Sequence, residues 1–97
     1  MNIRETRKRI DNIDRKIIDL ISKRLYLLKY ILKHKIDNNL PIQDKNREKE
    51  VLVDRIKRSS KLGINRNFIK PLFLSIFSES RRIQRESLKK LKNDNKK

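Results

Sequence analysis

From Thr6 to Ile36 the chain contains neither glycine nor proline, and its apolar residues recur at helical spacing, which predicts one long helix. Ile10, Ile13, Ile17, Leu20, Leu28 and Ile31 fall on one stripe, because steps of three, four and seven residues return to nearly the same side of a 3.6-residue turn. A helix of about 30 residues runs roughly 45 Å. A compact monomer of this size has a radius of gyration of only ~13 Å, hence a breadth of ~26 Å. The helix outruns that body, which points to an oligomer. A closed two-fold dimer, burying the stripe against a second copy, is the commonest solution.

Two cations interrupt the stripe. Arg24 lies seven residues after Ile17 and seven before Ile31, and Lys35 lies four after Ile31. Both project where the pattern asks for aliphatic side chains, and a charge in such a place needs a partner.

The remainder of the chain supplies two further helices. Helix one fades at Asp37-Asn38-Asn39, and Pro41 disfavours helix at Leu40, leaving a loop of about seven residues. Asp44 stands as an N-cap, after which Val51, Leu52, Ile56 and Val53 mark a second helix. Asp44, Arg47 and Glu48 open its inner face one turn apart, although, taken alone, capping and compensation of the helix dipole are the better account of the acidic pair. Gly63, the only glycine, fits a left-handed C′ position after Lys61-Leu62. Asn65 then caps a third helix, with Ile64 and Ile69 placed as a hydrophobic staple. Its stripe is Ile69, Leu72, Phe73, Ile76, Phe77, Ser80, Ile83, Gln84 and Leu88, weakening to Leu91. Ser80 and Gln84 are its polar members, and such residues are commonly mere boundary positions. Pro71 lies beyond the first turn, where it removes a donor and crowds the Asn67 carbonyl; a kink or a late helix start is expected there.

The fold class is therefore all-α, with one long N-terminal helix and two shorter ones in a single domain over residues 1–97. Residues from about 90 to 97 are expected to form a polar, disordered tail. No internal repeat stands out. The N-terminus runs straight into charged sequence, and no apolar run approaches 18 residues, so a soluble, cytoplasmic protein with no membrane contact is expected.

Composition narrows the chemistry. Charged residues make up 41% of the chain against 35% hydrophobic, so the core is built from narrow helical stripes. The net charge of +16 favours anionic partners, although a lysine- and isoleucine-rich, alanine-free composition also fits a coding bias. Without cysteine, and with His34 as the only histidine, thiol nucleophiles, thiolate sites and His-pair metal sites are excluded. There is no histidine to activate Ser80 and no glycine-rich phosphate loop. Arg24, Lys35, Asp44, Arg47, Glu48, Ser80 and Gln84 together describe a cationic cavity suited to a small dicarboxylate, working by positioning and charge stabilisation.

The run Arg7-Lys8-Arg9-Ile10-Asp11-Asn12-Ile13-Asp14, with Arg24, Lys35, Pro41-Ile42-Gln43-Asp44, Arg47-Glu48, Gly63, Phe73 and Ser80 to Gln84, resembles the all-helical chorismate mutase family over roughly residues 4 to 86. The resemblance implies an intertwined homodimer of three-helix chains, with long first helices paired and two equivalent sites. It implies the rearrangement of chorismate to prephenate, without cofactor, metal or covalent intermediate. Arg7 then matches an arginine that reaches into the partner's site and Arg24 one from the same chain, together clamping two carboxylates through guanidinium forks. Lys35 and Gln84 match the donors to the ether oxygen, where charge develops. Glu48 and the Asp44 backbone match the hydroxyl-holding groups, Ser80 a further carboxylate contact, and Arg47 a charge that orders Asp44 and Glu48. A glutamine rather than a glutamate at 84 implies activity without a demand for acidic pH.

An isochorismate-pyruvate lyase of the same fold is the nearest alternative; Ser80, Glu48 and the full basic set favour the mutase. A basic nucleic-acid-binding module would account for the charge, yet leaves Arg24 and Lys35 without a role and lacks stacking aromatics and a helix-turn-helix. No nucleic-acid partner is expected.

Overall fold

The computed structural model describes residues 1–94 and contains three helices and, among those residues, no strand: α1 (Ile3–Asp37), α2 (Lys45–Lys61) and α3 (Arg66–Asp94). At 35 residues, α1 is about 52 Å long, and it sets the longest dimension of a molecule measuring 60 × 29 × 17 Å. Helix α3 packs against both others, while α1 and α2 make no close backbone approach to each other. The space left between α1 and α2 is thus floored by α3.

Local chemistry fixes each helix end. Asn2 caps α1 by accepting the Glu5 N–H at 2.8 Å, and Asp44 caps α2 by accepting the Arg47 N–H at 2.9 Å. Asn65 caps α3 through the Asn67 N–H at 2.8 Å. These bonds satisfy donors that a helix N-terminus otherwise leaves to water. At the end of α2, Gly63 takes φ +74°; its N–H donates to the Ser60 carbonyl while that of Ile64 reaches back to Ser59. That paired closure is a Schellman motif, and its positive φ is open to glycine at no steric cost.

Between α1 and α2 the chain turns at Asn39, the one non-glycine residue with positive φ among the described residues, a conformation that asparagine tolerates better than most. The Leu40 N–H bonds the Lys35 carbonyl at 2.8 Å. Together these fold residues 38–44 back over the end of α1 and bring the Ile42 carbonyl to the Lys35 side chain.

The interior is small. Leu28, Leu32, Val51, Ile69 and Phe77 are its buried apolar residues, and none is completely excluded from solvent. Much of the α1 stripe is uncovered instead: Ile10, Ile13, Ile17, Leu20 and Ile31 are all about half exposed or more, Ile13 at 55%. A second exposed set, Tyr26, Leu27 and Tyr30, follows on α1, with Lys29 donating to the Tyr26 hydroxyl.

Three expectations are corrected. Helix α3 begins at Arg66 and runs through Pro71, so of the expected kink or late start the late start does not occur; both Pro71 and Asn67 are exposed. Val53 points outward, 62% exposed, and is no part of the α2 core. Helix α3 also continues through Lys90 and Leu91 to Asp94, in place of a disordered tail from about residue 90; residues 95–97 of that tail lie outside the described residues. No helix among the described residues is long and apolar enough to cross a membrane.

Candidate active site

A cleft of about 340 Å³ occupies the gap between α1 and α2. Helical spacing explains who lines it. Arg24, Leu28, Ile31 and Lys35 follow at steps of three or four along α1; Glu48, Val51 and Arg55 do the same on α2; Phe77, Ser80 or Arg81, and Gln84 come from α3. Asp44, Arg47 and Ile42 complete the rim. All of the same-chain candidates converge here. Arg7 does not: it lies 17 residues, or about 26 Å of helix, before Arg24, exposed and outside the cleft.

Lys35 is the best-defined group. Its ammonium donates to the Ile42 carbonyl and, at 2.8 Å, to Gln84 Oε1, using two of three N–H donors. Because lysine only donates, it orients the Gln84 amide with its oxygen towards α1. The Gln84 NH₂ then gives one hydrogen to the Ser80 carbonyl at 3.2 Å. Each residue is left with one N–H uncommitted. Gln84 is only 4% exposed, so its orientation is held by packing as well as by bonding. Burial lowers the Lys35 pKa, with Asp44 and Glu48 pulling it part of the way back.

Arg24 is held differently. Its Nη1 donates to Ser80 Oγ at 3.0 Å, and the same hydroxyl donates its hydrogen to the Ile76 carbonyl at 2.8 Å. Ser80, 7% exposed, therefore positions Arg24 and has its own proton engaged. Desolvation, followed by repulsion from Arg55, lowers the Arg24 pKa. No carboxylate pairs with Arg24 among the described residues. A desolvated guanidinium facing another cation, with most of its donors free, is stabilised by an anionic guest.

The two acidic residues have separate tasks. Asp44 is occupied as the α2 cap. Glu48 receives Arg81 Nη1 at 2.6 Å on each oxygen, a pair whose side chains are only 23% and 21% exposed, with Gln43 Nε2 at 3.5 Å. Arg47, expected to order Asp44 and Glu48, instead sends its guanidinium to Glu50 at 2.7 Å, and only its backbone N–H serves Asp44. Arg81 does the ordering of Glu48. Sequence reasoning missed Arg81 and Arg55, although the spacing holds the signal: Arg81 lies four residues after Phe77, and Arg55 four after Val51 and seven after Glu48.

Chemically, the cleft offers fixed cations, a cationic and a neutral N–H donor side by side on Lys35 and Gln84, and a carboxylate held by Arg81. Among the described residues no cluster of three His, Cys, Asp or Glu side chains could hold a metal. The arrangement suits binding of a small dianion and stabilisation of negative charge at one point beside Lys35 and Gln84.

Known proteins resemble the chain over most of its length. The family model for chorismate mutase type II matches residues 6–85. The chain is 42% identical over 92% of its length to a bifunctional chorismate mutase/prephenate dehydratase of Buchnera aphidicola subsp. Schizaphis graminum, of which it covers 23%. It is 35% identical over 96% of its length to a chorismate mutase of Methanocaldococcus jannaschii, covering 94% of that protein. A secreted chorismate mutase of Yersinia pestis matches 67% of the chain at 34% identity, with 35% of that protein covered. The chain thus spans about a quarter of the length of the bifunctional relative and nearly all of the M. jannaschii one.

Proposed function

Because this chain belongs to the chorismate mutase type II family, we propose that it converts chorismate to prephenate by an intramolecular [3,3] rearrangement. One C–O bond of the substrate's ether breaks while one C–C bond forms within the same molecule, so no group is transferred and no oxidant or cofactor enters. The observation that carries the reading is the Lys35–Gln84 pair, joined at 2.8 Å with one N–H of each uncommitted. Two donors so placed bind an ether oxygen weakly in the ground state and strongly as it gains negative charge, and this difference lowers the barrier. Arg24, steadied by Ser80, holds one carboxylate, and Glu48 accepts from the substrate hydroxyl. The enclosing walls select the folded conformer in which the bond-forming carbons meet.

A homodimer belongs to the same proposal. Arg7 cannot serve the cleft of its own chain from about 26 Å away, and the exposed Ile10, Ile13 and Ile17 follow it on α1. Pairing the long helices of two copies, intertwined about a two-fold axis, would cover that stripe and carry Arg7 to the partner's cleft as the second carboxylate clamp. A cytoplasmic location belongs to the same proposal, and cell fractionation checks it.

The test is direct: purified protein is mixed with chorismate, and the loss of its absorbance and the appearance of prephenate are followed. Turnover is expected with chorismate and not with isochorismate. A folded protein that leaves chorismate untouched, or that releases pyruvate from isochorismate, defeats the reading.

A further inference from the structure

Lys35 and Glu48 line one cleft and yet are not paired. The Lys35 ammonium sits on two neutral oxygens, those of Ile42 and Gln84. The Glu48 carboxylate is taken on both oxygens by a single nitrogen of Arg81, reaching across from α3. An ammonium and a carboxylate in one partly dry cleft attract strongly, so something must keep them apart. Arg81 is the group that does.

We propose that Arg81 is a positioning residue whose task is to claim Glu48, so that Lys35 keeps an un-neutralised ammonium for the guest oxygen and Glu48 keeps a fixed place for the guest hydroxyl. The identity of that guest rests on the mutase reading above; the separation of the two charges does not. Were Glu48 free, it would collapse onto Lys35, and the cleft would lose its one ammonium and its one oriented acceptor in a single contact. Every charged side chain lining the cleft bears on this balance. Arg24 shares α1 with Lys35, Asp44, Arg47, Glu48 and Arg55 come from α2 and its cap, and Arg81 comes from α3. Of the carboxylates, Asp44 is held in its cap, so Glu48 is the one that loss of Arg81 releases. Both already favour the protonated form of Lys35 from a distance, which gives a released Glu48 its destination.

The experiment follows the Lys35 side chain through its pH titration by NMR in the unliganded full-length protein, in the Arg81→Met and Arg81→Gln variants, the Glu48→Gln variant and the Arg81→Met/Glu48→Gln double variant. Both single Arg81 variants should raise the Lys35 titration by roughly one pH unit or more, the shift an adjacent carboxylate produces, and the double variant should abolish that rise. An unmoved Lys35 in the folded single variants overturns the proposal, as does a rise that survives loss of the Glu48 charge. Kinetics give the second arm. Arg81→Met should lower kcat on the order of tenfold with less change in KM, move the alkaline limb to higher pH, and cost nothing further once Glu48 is Gln, as a pair acting through one contact requires. Arg81→Lys should recover part of the rate. If Lys35 shifts as expected while the wild-type protein does not rearrange chorismate, the mutase reading falls and the pairing role stands. If chorismate is rearranged and Lys35 does not shift, the pairing role falls and the mutase reading stands.

Discussion

Arg24 and Ser80, 56 residues apart in sequence, are joined by a 3.0 Å hydrogen bond in which the serine hydroxyl accepts and then passes its own hydrogen to Ile76. This bond ties α1 to α3 at the wall of the cleft and aims a guanidinium that has no carboxylate partner among the described residues. Ser80→Ala removes the acceptor. The expected result is a several-fold rise in KM for chorismate with a smaller change in kcat, together with a loss of about 1 kcal/mol of stability for one part-buried hydrogen bond. Steady-state kinetics and a urea titration check it; an unchanged KM would mean that Arg24 is aimed by packing alone.

Lys35→Ala tests the charge at the reacting oxygen. Removing one preorganised donor costs ~3 kcal/mol of transition-state stabilisation, roughly a hundredfold in rate. The helices should survive, since Lys35 is not one of the buried apolar residues of the core and its burial disfavours its own charge. Circular dichroism and chorismate assays on the same sample check both halves, and near-wild-type turnover would remove Lys35 from the mechanism.

The pH dependence should run in two directions. Burial holds the Lys35 pKa below the ordinary lysine value of 10.5. The proposed mechanism needs the ammonium, so kcat/KM should fall with one deprotonation as pH rises through that lowered value, and should show no requirement for acid because Gln84 does not titrate. Stability moves oppositely. Between the folded and unfolded pKa values the unfolded chain binds more of this proton, so the contribution of Lys35 to the unfolding free energy increases as pH rises across that window and is lowest beneath it. Denaturant titrations of wild type and Lys35→Met, at pH values spanning the window, separate this contribution from the others; a wild-type curve that falls relative to the variant would contradict the sign.

The exposed stripe gives a test of assembly. Ile17, 49% exposed in the single chain, becomes a buried position if two α1 helices pair. Ile17→Glu should yield monomers by sedimentation and lose nearly all chorismate turnover, because Arg7 no longer reaches a cleft. A fully active Ile17→Glu monomer would remove Arg7 from the site.

Helix ends are the most legible part of the fold. Asp44, Gly63 and Asn65 act through bonds to their near neighbours, and such rules operate within a few residues. The inward set Arg24, Lys35, Glu48, Ser80 and Gln84 is legible for a related reason, since helical spacing alone puts each on an apolar face. What the pattern does not resolve is which cation meets which carboxylate. Arg47 and Arg81 both stand near Glu48; Arg47 finds Glu50 one turn along its own helix, whereas Arg81 must cross from α3. That choice depends on the separation of α2 and α3, which no local periodicity encodes. Pro71 misleads as a helix breaker because it and Asn67 lie on the exposed side of α3.

Among the described residues no large side chain is wholly withdrawn from solvent, and much of the longest helix's apolar stripe is exposed. If a second copy finishes that interior, as proposed, the protein's output depends on how much of it is made. In dilute solution the population of pairs grows as the square of the chain concentration, so doubling synthesis would quadruple flux until pairing saturates. Such a catalyst would switch on by accumulation, with no effector site needed to do so.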